Sequence, residues 1–252
     1  MTGLSSDALR RALRSAGLPD ASVRYDEITD STNATALAMA HAGAPEWTLV
    51  AAGHQLSGRG RLGRTWESAP GESLLCSVVL RPALPPDRAV LLTLLAGAAM
   101  ALACRAAGVE DVVCKWPNDL LRADAKVGGI LAEAAVAGGH VEHVVVGVGL
   151  NLGGPPPGVE GAAGLGGVDA EPLLAGFLGG MGEPLDPGTF GDRTLARYRP
   201  LCATIGRRVR ATTTDGRSVE GTAVDVDEAG ALLMDTPEGR STVGFGEVRH
   251  LR

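Results

Sequence analysis

The sequence predicts an α+β chain, with a large mixed α/β domain followed by a small antiparallel β barrel. Between residues 5 and 200, strand-like apolar runs alternate with helical patterns. From Ile205 onward the composition changes to short strands punctuated by Asp215-Gly216, Ala229-Gly230 and Glu238-Gly239, which fits five antiparallel strands. The 252 residues, 45% of them hydrophobic, suffice for both parts, and the boundary is expected at 203/204, giving domains 1–203 and 204–252.

Ser5/Ser6-Asp7 opens a helix that ends near Gly17, with Leu4, Leu9 and Leu13 on its apolar stripe. Val23 to Ile28 reads as a strand. Asp30-Ser31 caps a helix through Ala34–Ala40 that stops before Gly43. Capping explains Ser31 alone better than it explains three consecutive polar residues, Ser31-Thr32-Asn33. Trp47 to Ala52 is a second strand, which delivers the chain to His54-Gln55 and a glycine/arginine loop. Ser73 to Leu80 is an apolar strand, and Pro85-Pro86 leads into a long helix from Asp87 to Ala107. Within that helix the run Ala89–Cys104 is shorter than a membrane span and contains Thr93 and Gly97, so it reads as buried.

Val112 begins a buried strand that meets Lys115-Trp116-Pro117-Asn118-Asp119, where the proline enforces a turn after Trp116. Lys115, Asn118 and Asp119 are polar groups in apolar surroundings, costly to leave unpaired. A Lys115–Asp119 pair supporting the turn is one reading, a ligand site the other. Lys126 to Glu133 is a strand thinned by Gly128 and Gly129, and glycines inside a strand mark close approach by something else. Val141 to Leu150 pairs with it through Gly138-Gly139, carries Gly147 and Gly149, and ends at Asn151. Residues 153–167 read as a mobile Gly/Pro-rich loop that supplies no candidate residue. Helices around Glu171–Gly179 and Thr189–Pro200 close the large domain. His140 and His143 lack acidic or cysteine partners nearby and read as surface histidines.

The loop itself is Gly58-Arg59-Gly60-Arg61-Leu62-Gly63-Arg64-Thr65-Trp66. Glycines allow close backbone approach, arginines offer charged forks for phosphate or carboxylate, and the indole offers a face for a flat ring. Dinucleotide-binding and P-loop patterns fit by letter, but both need a helix directly after the loop, and Glu67-Ser68-Ala69-Pro70-Gly71 reads as a turn. A net charge of −6 argues against general nucleic-acid or membrane-surface binding. Four scattered cysteines, with no C-x-x-C pair and no secretory signal, suggest reduced thiols in the cytoplasm. Among 23 basic residues only two are lysines, Lys115 and Lys126, eleven positions apart. Lysine kept against such a bias points to a need for a compact ammonium.

Taken together these segments resemble the biotin–protein ligase family. The resemblance rests on Gly58–Trp66, Lys115-Trp116-Pro117-Asn118-Asp119, Lys126-x-Gly128-Gly129-Ile130-Leu131 and Gly147-x-Gly149-x-Asn151. Ser31-Thr32-Asn33 and Gln55 fall where the family binds the biotin ring. It implies a large domain of the class II aminoacyl-tRNA synthetase/biotin ligase-like type with an SH3-like C-terminal domain. The implied reaction joins biotin to AMP, from MgATP, and then to a lysine of a biotin carboxyl carrier domain. Biotin binding is implied for Ser31, Thr32, Asn33, Gln55, Arg59, Gly60, Arg61, Lys126, Gly128 and Gly129. Nucleotide binding is implied for Arg61, Arg64, Trp66, Lys115, Asn118 and Asn151, and catalysis for Lys126, Arg59 and Asp119, with no protein-bound metal site. The Ser-Thr-Asn block begins at residue 31, which leaves no space for a winged helix–turn–helix, so a monofunctional ligase, monomeric or weakly dimeric and not binding nucleic acid or membrane, is expected. The rival readings are a lipoate–protein ligase and a non-catalytic biotin or nucleotide sensor.

Overall fold

The computed structural model describes residues 4–182, 188–214, 216–244 and 246–251. Asp215, expected in a turn, lies outside them. Helix α1 (Ser6–Ser15) starts at Ser5, whose side chain accepts from the Ala8 amide, and buries Leu9 and Leu13. Strand β1 (Val23–Thr29) and helix α2 (Thr32–His41) follow, with Ser31 as N-cap. Strand β2 (Leu49–Gln55) starts later than the sequence suggests because Trp47 sits at φ 65, in the left-handed region, and it runs on through His54 and Gln55. Strand β3 (Ser73–Leu80) lies as expected.

Helix α3 (Val90–Ala106) begins after a 3₁₀ turn at Pro86–Arg88, since the prolines fix the entry but cannot donate into the first turn. The run 86–106 is long and apolar enough to cross a membrane, but Leu91, Leu92, Leu94 and Met100 are fully buried inside the protein, so it is a core helix. Strand β4 (Val112–Lys115) turns through Pro117 into a separate strand β5 (Asp119–Arg122). Strands β6 (Ala125–Ala137) and β7 (His140–Asn151) form a long hairpin. Helices α4 (Ala170–Met181) and α5 (Phe190–Tyr198) complete this part.

The seven strands form one mixed sheet in the order β1-β2-β3-β7-β6-β5-β4, antiparallel except for the β1–β2 pair. Alternation along the strands divides its faces. Leu74, Cys76, Val78, Val144, Val146 and Val148 join the main core with α1, α3 and α4. Val50, Val79 and Val145 point the other way and meet Ala36 and Ala40 of α2 in a small second cluster, flanked by Leu37 and Met39. That second face is covered by one short helix, and the remainder of it is free to build a site. The C-terminal sheet comprises β8 (Arg208–Thr213), β9 (Ser218–Val226), β10 (Leu232–Thr236), β11 (Gly239–Val243) and β12 (Gly246–His250). All its pairs are antiparallel, in the order β11-β10-β9-β8-β12. It docks on the large domain through Trp116, whose indole Nε1 donates to the Gly230 carbonyl at 2.9 Å and whose amide donates to Thr204 Oγ1 at 3.0 Å.

Candidate active site

Two registered rows of residues across the second face set the site. In the first, Ser77 of β3, Gly147 of β7 and Leu131 of β6 lie side by side. Asn33, at the start of α2, sits over this row; a β-carbon on Gly147 would lie 1.9 Å from Asn33 Oδ1. In the second row Leu75, Gly149, Gly129, Asp119 and Lys115 are successive partners across β3, β7, β6, β5 and β4. The Trp66 indole covers Gly149, where a β-carbon would lie 2.4 Å from the ring. The glycines therefore leave room for Asn33 and Trp66, which form the walls of the site.

Between and around these side chains lies a cavity of about 460 Å³, within the range for a small-molecule site. It is lined by Ser31, Thr32, Asn33, Gln55, Arg59, Gly60, Arg61, Arg64, Trp66, Asn118, Lys126, Gly129 and Asn151 among the residues expected from sequence. Lys115, Asp119 and Gly128 do not line it. Gly128 packs against the Gly149 carbonyl and Leu150, and the other two stand just behind Lys126.

At one end the polar cluster is closed by hydrogen bonds. The Thr32 amide and hydroxyl donate to Gln55 Oε1 at 2.8 and 3.0 Å, and Asn33 Nδ2 donates to Glu133 Oε2 at 2.8 Å. Ser31 is the N-cap of α2 and is nearly fully buried, so its capping role and its place in the cavity wall coexist. At the other end Asp119 holds both lysines of the chain, Lys126 Nζ at 2.6 Å and Lys115 Nζ at 3.8 Å. The internal pair that the sequence offered for Lys115 is present, and Lys126 joins it. The Lys126 ammonium also lies 5.8 Å from the Trp66 ring centroid, within cation–π reach.

The glycine/arginine loop is a small hairpin, closed by the Gly60 amide on the Arg64 carbonyl and the Trp66 amide on the Gly58 carbonyl. Arg61 reaches Asn118 Oδ1 at 3.2 Å and the Gly246 carbonyl at 3.4 Å, and Arg64 pairs with Glu247. The loop thus touches the C-terminal sheet. Burial pulls the Arg61 pKa below the usual guanidinium range, and the Asp119 charge opposes this.

Residues 153–167 correct the sequence reading. They pack on the site: the Lys126 amide donates to the Gly161 carbonyl, the Ala163 amide to the Lys126 carbonyl, and Asn151 Nδ2 to the Ala163 carbonyl. Pro156, Val159 and Glu160 line the cavity. Backbone pairing of this kind leaves no mark in a Gly/Pro-rich composition. Ser77 and Glu133 were also missed. A lone serine inside the apolar run Ser73–Leu80 was the available signal, because a buried hydroxyl needs a partner. His143 is fully buried, not exposed, and stacks edge-on against His41 at 4.8 Å; burial and His41 lower its pKa.

Comparison with known proteins decides what this geometry belongs to. Residues 25–151 match the Biotin/lipoate A/B protein ligase family, and residues 204–251 match the Biotin protein ligase C terminal domain. A Mycobacterium tuberculosis protein named biotin–[acetyl-CoA-carboxylase] ligase is 35% identical over 236 residues, covering 89% of this chain and 87% of that one. The chain belongs to the biotin–protein ligase family. A ligase of the same name from Paracoccus denitrificans is 36% identical over 238 residues, covering 87% and 97%. Among solved structures, the biotin protein ligase of Aquifex aeolicus in complex with biotin and ATP shares the ligase fold with a TM-score of 0.74. It is 23% identical, covering 91% of this chain and 99% of that one.

Proposed function

We propose that this chain is an ATP-dependent biotin–protein ligase that activates biotin as biotinyl-5′-AMP and transfers it to a lysine of a biotin carboxyl carrier domain. The observation that carries the reading is the Lys126–Asp119–Lys115 cluster at the foot of a cavity. The opposite end of that cavity is a wall of amide and hydroxyl groups suited to a cyclic urea. In this reading Ser31, Thr32, Asn33 and Gln55 hold the ureido ring, and Gly60 and Gly129 admit the bicycle and its chain, whereas Gly128 faces Leu120 and Leu150 of the core and serves packing instead. Arg59, Arg61 and Arg64 hold the phosphates. Trp66, Lys115, Asn118 and Asn151 frame the nucleotide. The domain boundary near residue 203 belongs to the same reading.

In the first step a biotin carboxylate oxygen attacks the α-phosphorus of ATP and pyrophosphate leaves. Negative charge builds on the phosphoryl oxygens, and Lys126 with Arg59 stabilises it electrostatically. In the second step the acceptor amine attacks the acyl carbon, the amide bond forms and AMP leaves; Asp119 orients that amine and takes its proton. Mg²⁺ enters with its substrate as MgATP. The protein works in the cytoplasm, where its acceptor is made. The lipoate reading is disfavoured by the C-terminal sheet matching the biotin ligase domain.

The test separates the two steps. Biotin-dependent exchange of labelled pyrophosphate into ATP measures adenylation, and incorporation of biotin into a carrier domain measures transfer. Wild-type protein is expected to perform both with biotin and neither with lipoate. Asp119→Ala is expected to lose transfer at least tenfold more than exchange. Exchange supported by lipoate in place of biotin would overturn the assignment.

A further inference from the structure

Ser77 does not line the cavity, is fully buried, and takes no part in the chemistry proposed above. Its hydroxyl lies 2.6 Å from Asn33 Oδ1 and 2.8 Å from Thr32 Oγ1. Hydrogen-bond bookkeeping fixes where each proton must point. Asn33 Nδ2 faces two acceptors, the Leu131 carbonyl at 3.2 Å and Glu133 at 2.8 Å, neither of which can donate as carbonyl and carboxylate. The amide oxygen of Asn33 is therefore the atom that faces Ser77. An amide oxygen only accepts, so the single Ser77 proton lies on that 2.6 Å line. Ser77 then turns only lone pairs towards Thr32. The other neighbour of the Thr32 hydroxyl, Gln55 Oε1, is held as an acceptor by the Thr32 amide. The one Thr32 hydroxyl proton is shared between Ser77 Oγ and Gln55 Oε1 in the wall, so its lone pairs are left for a donor in the cavity that Thr32 lines.

We propose that Ser77 is a specificity-determining positioning residue: by fixing Asn33 and Thr32 it makes this end of the cavity an acceptor of ligand N–H groups. The fold supplies the arrangement directly. Ser77, Gly147 and Leu131 share one register row, and only a glycine at 147 lets Asn33 descend to the serine. The ligand class selected is a cyclic urea or amide that presents an N–H, in preference to an isosteric ring that does not. A site built to accept an N–H rejects the analogue that lacks it, because its own polar atoms are left unpaired. The proposal rests on the biotin reading and assigns the origin of its ring selectivity.

The experiment compares biotin with its two cyclic carbamate analogues, in which one or the other ureido N–H is replaced by oxygen. Dissociation constants are measured by calorimetry on wild-type protein, Ser77→Ala and Ser77→Cys. Wild-type protein is expected to bind biotin and to reject at least one carbamate by about thirtyfold or more. Ser77→Ala frees the Asn33 amide and leaves the Thr32 hydroxyl held by Gln55 alone. Biotin affinity should fall about tenfold, the rejected carbamate should change far less, and the discrimination ratio should shrink accordingly. Ser77→Cys, with a weak S–H donor, should lie between the two, and turnover at saturating biotin should stay within about twofold in both variants. Equal loss of affinity for all three ligands would reduce Ser77 to a structural role and overturn the proposal. So would a wild-type protein that accepts both carbamates as readily as biotin. Failure of the wild-type protein to bind biotin at all would instead bring down the ligase assignment, and this proposal with it.

Discussion

A methyl group at Gly147 tests the wall of the cavity from the opposite side. In Gly147→Ala the new β-carbon would sit 1.9 Å from Asn33 Oδ1, 2.7 Å from Cγ and 3.1 Å from Nδ2, where ordinary contact begins at 3.4 Å. The oxygen must retreat by about 1.5 Å, which is incompatible with its 2.6 Å bond to Ser77 and with the bonds from Nδ2 to Leu131 and Glu133. Three hydrogen bonds at roughly 1 kcal/mol each give an expected loss of about 3 kcal/mol of stability. Equilibrium urea unfolding at pH 7 reads that loss, and calorimetry reads biotin affinity, expected to fall at least a hundredfold. The decisive comparison uses Asn33→Ala as background. With the amide already removed the methyl has space, so adding Gly147→Ala there should cost less than about 0.5 kcal/mol. The same cost in both backgrounds would show that Asn33 does not fill the space above Gly147, and would refute the description of this wall.

Three further outcomes are expected. Lys126→Arg should remain folded by circular dichroism yet lose at least about a hundredfold in pyrophosphate exchange, because a planar guanidinium cannot replace a compact ammonium between two oxygens; near wild-type exchange would remove Lys126 from the mechanism. Glu247→Ala removes the Arg64 partner, and since both side chains are about half exposed the melting temperature should barely move. Cleavage by trypsin after Arg59, Arg61 or Arg64 should nevertheless accelerate in the ligand-free protein, and an unchanged rate would mean that the C-terminal sheet does not hold the loop. His250 is lowered to about 4 by burial, then by Arg207 and Lys115, from an ordinary value of 6.5. Between those values the unfolded chain binds the proton that the folded one refuses, so the stability due to this group is complete above pH 6.5 and disappears as pH falls through 4. His250→Gln should flatten that part of the melting temperature against pH, and an unchanged profile would remove His250 as its cause.

Much of this was visible in the sequence because the site is built from residues that violate their surroundings. Two lysines among so many arginines, and glycines at alternate positions of buried strands, are each improbable for packing alone. The structure joins them: both lysines share Asp119, and Gly147 and Gly149 lie beneath Asn33 and Trp66. What remained hidden was cross-strand. Ser77 looks like one small residue in an apolar strand until register places it beside Gly147. The 153–167 segment acquires its role through main-chain bonds to Lys126, which side-chain identity does not encode. His143 shares its strand phase with Val145, so alternation places it inward despite its polarity.

The pairing of both lysines with one carboxylate bears on the enzyme's own fate. An acyl-adenylate is an indiscriminate acylating agent towards primary amines, and any that escapes meets the catalyst first. Across these 252 residues the only side-chain amines are Lys115 and Lys126, each about a quarter to a third exposed and each paired with Asp119. Every other cationic side chain that is always charged is a guanidinium, which stays protonated and unreactive at neutral pH. The surface therefore offers few side-chain amines to the reagent made within it, and a ligase so composed can label an acceptor lysine while presenting only two of its own.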